Sequence, residues 1–556
     1  MLMTGADMIL KGLEKNGVSV IFGYPGAANC PIYDKIPEYN IQHILVRNEQ
    51  GAAHMANAYA RVTGKVGVCT ATSGPGATNL ITGIATAYMD SIPLVAITGQ
   101  VDTSLIGRDA FQEVDITGTT ISVCKHNYLV EDIKDLPRII DEAVYIATTG
   151  RPGPVLVDVP MNISLSSTDC NYDFSCAKPP VIRGYNPEPV ADKSEFDEIV
   201  TLLKTAKRPL ILSGGGIILS KASDAFRNFI KTSKIPVVST MTGIGSIETD
   251  NRLYYGMVGS HGVRVANYAL NKSDVLLVLG ARLGDRAVAH LTNLKTNKKI
   301  IHIDIDPAEI CKNIAVDISV ISDAGFALQQ LNSHAGKISC PDEWVADLDR
   351  VKSMDKPYNT DDGEFVNPKY LLKKLSDRTN SDVIITTEVG QNQIWTANAF
   401  TVKNAGSFIT SAGFGTMGYG LPAAIGAKFA APDKTVIAVM GDGSFQMDMC
   451  ELGTMSQWGI NVKMILFKNN RLGMVRELQW SAYKSNYSGV FLDGSPDFAK
   501  LVDAYGIKSK CISKNSEIDS AIDALLSDDK SFLLIVNTDP LETCQVGFDR
   551  KEHENE

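Results

Sequence analysis

Asp442 and Asn469 are the residues from which chemistry can first be read in this chain. Asp442 sits in Gly441-Asp442-Gly443-Ser444, directly after the apolar run Thr435–Met440. Twenty-five residues, 444 to 468, separate Gly443 from Asn469. They hold a helical stretch with Leu452, Met455 and Trp458 on one face, then a second apolar run, Val462–Phe467. The spacing predicts strand, tight turn, helix, strand. Asp442 and Asn469 would then both stand at C-terminal ends of parallel strands, where open α/β sheets bind ligands, with glycines letting the backbone approach. One carboxylate and one amide oxygen, completed by water and phosphate oxygens, form the octahedron that magnesium prefers, so a Mg²⁺-bridged diphosphate suits this pair. A Gly-Asp-Gly met alone would read as a plain turn; the flanking strands and the distant asparagine favour the functional reading.

A second acid lies near the start of the chain. Glu49, in Arg47-Asn48-Glu49-Gln50-Gly51-Ala52-Ala53-His54, falls between a strand-like run and a helix of small residues. Close packing over Gly51, Ala52 and Ala53 would bury its carboxyl. The plainer alternative is a first-turn acid favoured by the helix dipole. Arg47 and His54 read as surface or packing residues.

The elements that must position these groups follow from length and pattern. At 556 residues the chain should hold roughly three to four compact units. Hydrophobic residues at 44% and charged residues at 21% supply several cores without a sign of global disorder. With 53 basic against 63 acidic residues the net charge is −10, which argues against a broad nucleic-acid or anionic-membrane surface. Ten cysteines show no C-x-x-C pair, and no stretch reaches the roughly 18 apolar residues of a membrane helix. With a first stretch, Met1–Gly17, unlike a secretory leader, these predict a soluble, reduced, cytoplasmic protein.

Short Val/Ile-rich runs recur, each ending in Gly, Ser or Asp and followed by a helical pattern: Val18–Phe22, Val66–Thr70, Leu94–Thr98, Val155–Val159, Pro209–Leu212, Val275–Leu279 and Ile300–Ile305, besides the two near Asp442. This is an α/β chain of doubly wound parallel sheets. Proline-rich Ser164–Asp192 and charged Ser333–Pro368 read as surface linkers, which divides the chain into domains 1–165, 190–335 and 368–545. The charged tail Arg550–Glu556 should fray.

Gly-Asp-Gly followed by about 25 residues and an Asn pair resembles the signature of thiamine-diphosphate-dependent enzymes. From about Gly5 to Ala504 the chain is similar to acetolactate synthase catalytic subunits. Phe22-Gly-Tyr-Pro-Gly26, Thr72-Ser-Gly-Pro-Gly-Ala-Thr-Asn79, Asp109-Ala-Phe-Gln-Glu113, Lys125-His126, Gly150-Arg-Pro-Gly-Pro154, Val389-Gly-Gln391 and Gly415-Thr-Met-Gly418 carry the likeness. The resemblance implies a thiamine-diphosphate fold with a Rossmann-like central domain, and a homodimer or homotetramer whose site lies between the first domain of one subunit and the third of another. It also implies a regulatory small subunit in some members. The implied reaction decarboxylates pyruvate and transfers the two-carbon unit to a second 2-keto acid, pyruvate or 2-ketobutyrate, in branched-chain amino-acid biosynthesis.

Residue by residue, the resemblance places thiamine diphosphate against Pro25, Gly26, Glu49, Asn79, Val389, Gly390, Gln391, Gly415, Met417, Gly441, Gly443, Ser444 and Met474. Magnesium falls to Asp442, Asn469 and Arg471. Glu49 would hold a proton at a pyrimidine nitrogen, and Met417 would wedge the cofactor into a bent shape. Phe111, Gln112 and Lys125 would line the substrate side. An FAD site would take Arg151, Gly214, Gly215, Gly216, Thr240, Met241, His261, Gly280, Arg282, Asp304 and Asp323.

Several positions depart from the family pattern: Asn48 for His, Ala27 for Gly, Ser260 for Met, Leu283-Gly284 for Phe-Asp and Asn392 for His. Leu478 stands where the family often has a Trp tied to 2-ketobutyrate preference. Two rival readings share parts of this evidence. One is a thiamine-diphosphate decarboxylase or oxidase of the same fold. The other is a nucleotide-binding protein without thiamine, which the lack of a complete G-x-G-x-x-G or P-loop disfavours.

Overall fold

The computed structural model describes residues 2–176, 178–189, 191–288, 294–355, 357–379 and 381–544. The tail expected to fray, Arg550–Glu556, lies outside them. Buried strands read as unbroken apolar runs when helices cover both faces of a sheet, and Leu94–Gln100 and Pro154–Pro160 are buried at every residue. Such runs build three six-stranded sheets. All of their strand pairs are parallel.

The first sheet orders its strands Gln42–Leu45, Val20–Gly23, Gly67–Ala71, Leu94–Gln100, Pro154–Pro160, His126–Leu129. The third repeats that order with Phe408–Ile409, Val383–Thr387, Thr435–Gly441, Lys463–Lys468, Phe532–Asn537 and Lys508–Ile512. In both, the winding reverses between the second and third strands across, opening a crevice at their C-terminal ends. The central sheet runs Tyr254–Met257, Val237–Ser239, Pro209–Ser213, Val275–Leu279, Lys299–Asp304, Ile318–Ile321. That is the 3-2-1-4-5-6 order of dinucleotide-binding folds, so the Rossmann-like expectation for the middle of the chain holds.

One hydrophobic core spans a face of the first sheet and a face of the third, while most of the central domain packs in another. The shared core is built on helices Glu49–Thr63 and Gly420–Ala430, in which Ala52, Ala53, Ala56, Ala423, Ala424 and Ala427 are fully buried. Side chains this small bring the helix backbones close, and a Cβ at Gly426 would strike the Met55 main chain. The helix that begins at Glu49 is thus seated on the third domain of its own chain.

Ser333–Pro368 is not a bare linker. It carries a helix, Asp342–Lys352, whose Trp344, Leu348 and Val351 are buried in the central core, and Trp344 Nε1 donates to the Pro209 carbonyl at 3.0 Å. The i, i+4, i+7 apolar stripe was hidden among prolines and charges. Within Ser164–Asp192, Ser167–Asp169 pairs antiparallel with Leu2–Thr4. No helix among the described residues is long and apolar enough to cross a membrane.

Candidate active site

Asp442 is the first residue of helix Asp442–Asp448, directly after strand Thr435–Gly441. It is 2% exposed, and its Oδ2 accepts from the main-chain N–H groups of Asn469 (3.2 Å) and Asn470 (2.6 Å) at the end of the neighbouring strand. Burial pushes its pKa up to about 6, against the lowering pull of those N–H donors. Asn469 donates from Nδ2 to Gln391 Oε1 at 3.1 Å, and its Oδ1 accepts from the Arg471 N–H at 3.0 Å. Two oxygen-bearing groups on adjacent strand ends therefore converge, as the spacing predicts.

They line a cavity at the crevice of the third sheet, with Val389, Gly390, Gln391, Met417, Gly441, Gly443, Ser444, Arg471 and Met474. Gly390 has φ +146°, a conformation open only to glycine, and caps the helix Gln391–Ala399. Gly473 lies so close to the Gln391 amide that a Cβ would overlap it. Asn392 Oδ1, buried at the cavity wall, has no hydrogen-bond partner among the described residues. A carboxylate, an amide oxygen, an orphaned acceptor and close-approaching glycines fit a metal-bridged diphosphate.

The loop carrying Gly415 and Met417 is tied at both ends by carboxylates. Asp90, from the first domain, accepts from the N–H groups of Ala412 (3.2 Å) and Gly413 (2.7 Å). Glu388, fully buried, accepts from those of Gly418 (2.9 Å), Tyr419 (3.1 Å) and Gly420 (2.8 Å). Glu388 escaped the sequence reading although it directly precedes Val389-Gly390-Gln391. A lone acid closing the apolar strand Val383–Thr387 was its signal.

A second cluster forms on the first domain. Glu49 opens helix Glu49–Thr63, is half-buried, and accepts from Asn79 Nδ2 at 2.9 Å through Oε2. A Cβ at Gly76 would lie 3.3 Å from Glu49 Oε1 and 2.9 Å from Thr72, while one at Gly26 would press on Thr72. Gln112, at φ +61°, backs onto Gly74, and Phe111 beside it is 87% exposed. Pro25, Gly26, Glu49, Asn79 and Gln112 thus gather on one rim, open to solvent at Pro25, Asn79 and Phe111. None of them lines the Asp442 cavity.

Lys125 lies apart from this cluster. Its ammonium donates to the carbonyls of Ile146 (2.6 Å) and Thr149 (2.5 Å) and to the Tyr185 hydroxyl (2.9 Å), and burial lowers its pKa to about 8. All three of its hydrogens are spent, so the expected contact with a substrate carboxylate does not form in this arrangement. It lines a second cavity with Arg151 and Asp306, between the first and central domains. Arg151 is paired there with Asp306 (2.9 Å) and Glu309 (2.7 Å).

In the central domain, the other residues expected around a flavin mostly stand near strand ends. Gly214 and Gly216 pack against the main chain of Gly280, so contact between two loops already requires glycine there. Gly215 faces Thr242, and Thr240 Oγ1 accepts from the Gly243 N–H beside Met241. His261 accepts from Asn398 through its carbonyl, and Arg282 approaches Gly413. Asp304 is pushed upward by burial, and one of its oxygens accepts from the Asp306 N–H. Asp323 spends Oδ1 on the start of helix Ala324–His334. The strand order is that of dinucleotide-binding folds, whereas the glycine triplet alone does not require a dinucleotide.

Comparison with known proteins agrees with this geometry. Three family models match, described as the N-terminal TPP binding domain (residues 3–119), the central domain (196–331) and the C-terminal TPP binding domain (388–536) of thiamine pyrophosphate enzymes. The chain is 42% identical to a probable acetolactate synthase large subunit of Methanococcus aeolicus, over 97% of this chain and 92% of the relative. It is 41% identical to the acetolactate synthase isozyme 2 large subunit of Escherichia coli K12, over 97% and 96%. To the acetolactate synthase large subunit of Lactococcus lactis it is 42% identical, over 99% and 93%.

Proposed function

The chain belongs to the acetolactate synthase large subunits among the thiamine pyrophosphate enzymes, and from that premise we infer how its residues divide the work. It is a thiamine-diphosphate-dependent carboligase that joins two 2-keto acids, pyruvate with pyruvate giving 2-acetolactate, in branched-chain amino-acid biosynthesis. Thiamine diphosphate, when bound, supplies the carbon nucleophile that attacks the keto carbonyl. Asp442 and Asn469 would hold Mg²⁺ and through it the diphosphate. Glu49 would hold a proton at the pyrimidine, oriented by Asn79, and Met417 would shape the cavity floor. Gln112 would offer its amide to the keto acid, while Lys125 would order the second cavity beside a flavin.

One observation carries the assembly. The cavity around Asp442 is lined wholly by residues 389–475, while Glu49 sits on a separate rim of the same chain. A complete site therefore takes Glu49 from one copy and Asp442 from another, in a homodimer or larger. Exposed Phe111, Phe414, Met447 and Leu478 support a partner surface. A regulatory small subunit suits the designation of the relatives as large subunits. Ten cysteines, all free, suit a reducing, cytoplasmic setting.

Incubation with pyruvate, Mg²⁺ and thiamine diphosphate, with and without FAD, tests the reading. Acetolactate and CO₂ are expected, with FAD raising yield or thermal stability. Acetaldehyde or acetate as the sole product would replace the carboligase with a decarboxylase or oxidase.

A further inference from the structure

We infer that Glu451, a residue of the third domain, is a positioning residue that sets where Glu49 stands. Its carboxylate is fully buried. It accepts from the Arg47 N–H (3.1 Å to Oε1, 3.2 Å to Oε2), the Asn48 N–H (3.0 Å to Oε1) and the Thr454 hydroxyl (2.5 Å to Oε2). Two of these donors are the main-chain groups immediately before Glu49. The negative charge thus sits against the start of helix Glu49–Thr63, where the dipole favours it and where N–H groups lack helical partners.

Neighbouring contacts converge on the same docking. The Arg47 guanidinium donates to the Gly453 carbonyl (3.2 Å) and Gln457 Oε1 (2.7 Å), and Trp458 Nε1 donates to the Leu45 carbonyl (3.3 Å). Asn48 caps the helix by accepting from the Gln50 N–H at 2.8 Å. Gly51, two residues beyond Glu49, lets the first turn settle onto the carboxylate: a Cβ there would lie 2.5 Å from Glu451 Oε1. The stretch Leu45–Gly51 is therefore pressed onto Glu451–Trp458, and the position of Glu49 follows from a group more than 400 residues away in sequence.

Glu451 also lies nine residues after Asp442 (451 − 442), on a continuous run of helix Asp442–Asp448, 3₁₀ turn Met449–Glu451 and helix Leu452–Trp458. One segment fixes Asp442 at its start and the Glu49 turn at its end. Each chain is then a strut of set length between the metal end of one site and the acid end of the other.

This inference rests on the role of Glu49, so the test measures the step Glu49 serves separately from cofactor binding. The readouts are hydrogen–deuterium exchange at thiazolium C2 of bound thiamine diphosphate, and Mg²⁺-dependent cofactor affinity by titration. Glu451→Gln keeps shape but removes the charge; Gly51→Ala keeps the charge and adds a methyl against it. Both variants are expected to slow exchange about tenfold, the scale of a lost charge-assisted hydrogen bond, with cofactor affinity within about threefold of wild type. Exchange at the wild-type rate in both, with Glu49→Gln slow, would overturn the positioning role. So would a loss of cofactor affinity or folding with normal exchange per bound cofactor. Normal exchange in Glu49→Gln itself would overturn the underlying reading of the site, whatever the other variants do.

Discussion

Glu49 and Asp442 are the same construction used in two directions. Each is an acid at the first residue of a helix that follows a parallel strand, Gln42–Leu45 in one case and Thr435–Gly441 in the other. The two sheets share one strand order. Asp442 is drawn inward, onto two N–H groups of the next strand, and walls a cavity made by its own domain. Glu49 is held from behind, by N–H groups of Arg47 and Asn48 docked on Glu451, and turns its carboxyl to Asn79 on an open rim. The fold offers one kind of ligand position at its strand ends. What packs around each acid differs, and with it the burial and the partners of the carboxyl.

Replacing each acid by its amide should break the two ends differently, and these are the largest effects expected. Glu49→Gln should lower kcat by about 10²–10⁴-fold, the range of a lost general acid–base group, while leaving Mg²⁺-dependent cofactor binding nearly intact. Asp442→Asn should weaken that binding at least as much as losing a metal-supporting group does, about 10–100-fold, with activity recovering at high Mg²⁺ and cofactor. If both variants lost cofactor affinity alike, the division between proton handling and metal binding would fail.

Mixing the two inactive variants sharpens the comparison further. A mixed dimer pairs Glu49 of the Asp442→Asn chain with Asp442 of the Glu49→Gln chain, rebuilding one whole site of two. With statistical exchange of subunits, roughly a quarter of wild-type sites should return. Activity no higher than the sum of the separate variants would place both acids of a site on one chain.

The residues legible in the sequence are those whose partners are local. Asp442, Gly443 and Asn469 belong to one strand–turn–helix–strand unit, and a fixed spacing suffices to join them. The Val/Ile-rich runs marked the sheets for the same reason. Glu388 had one local signal, its place closing an apolar strand, while Glu451 was silent because its donors on the first domain are main-chain N–H groups, which leave no mark on side-chain identity. The main-chain donors to Glu451 are also about 400 residues away. Lys125 shows the opposite case: the sequence offers a cation beside a family motif but not its acceptors, two carbonyls and the Tyr185 hydroxyl from a proline-rich stretch. Gly214 and Gly216 stand among the residues the resemblance gives to a flavin, and their close packing on the Gly280 main chain already accounts for glycine there.

The smallest effect concerns the far end of the Asp442 helix. Asp448 lies beside Gly418, and its buried Oδ2 has no hydrogen-bond partner among the described residues. Burial first, then the nearby charges of Glu388 and Glu451, raise its pKa from the ordinary 3.8 to about 8. Glu388, with three N–H donors, is the better-supported anion, so Asp448 is the one that keeps its proton at neutrality. A raised carboxyl binds protons more tightly when folded, so its stabilising contribution is complete below about 3.8 and is lost as pH rises through about 8. Glu388, raised to about 7, and Asp442, raised to about 6, act in the same sense and persist in an Asp448 variant. Asp448→Asn keeps the shape of the neutral acid and cannot ionise. Relative to wild type, its Tm measured without cofactor should rise steadily from pH 5 to pH 8 and level off near pH 9. Parallel Tm curves for the two proteins from pH 5 to 9 would show that Asp448 is already ionised in the fold. The helix would then carry a charge at each end, and the contrast between its pinned start and its proton-bearing finish would be lost.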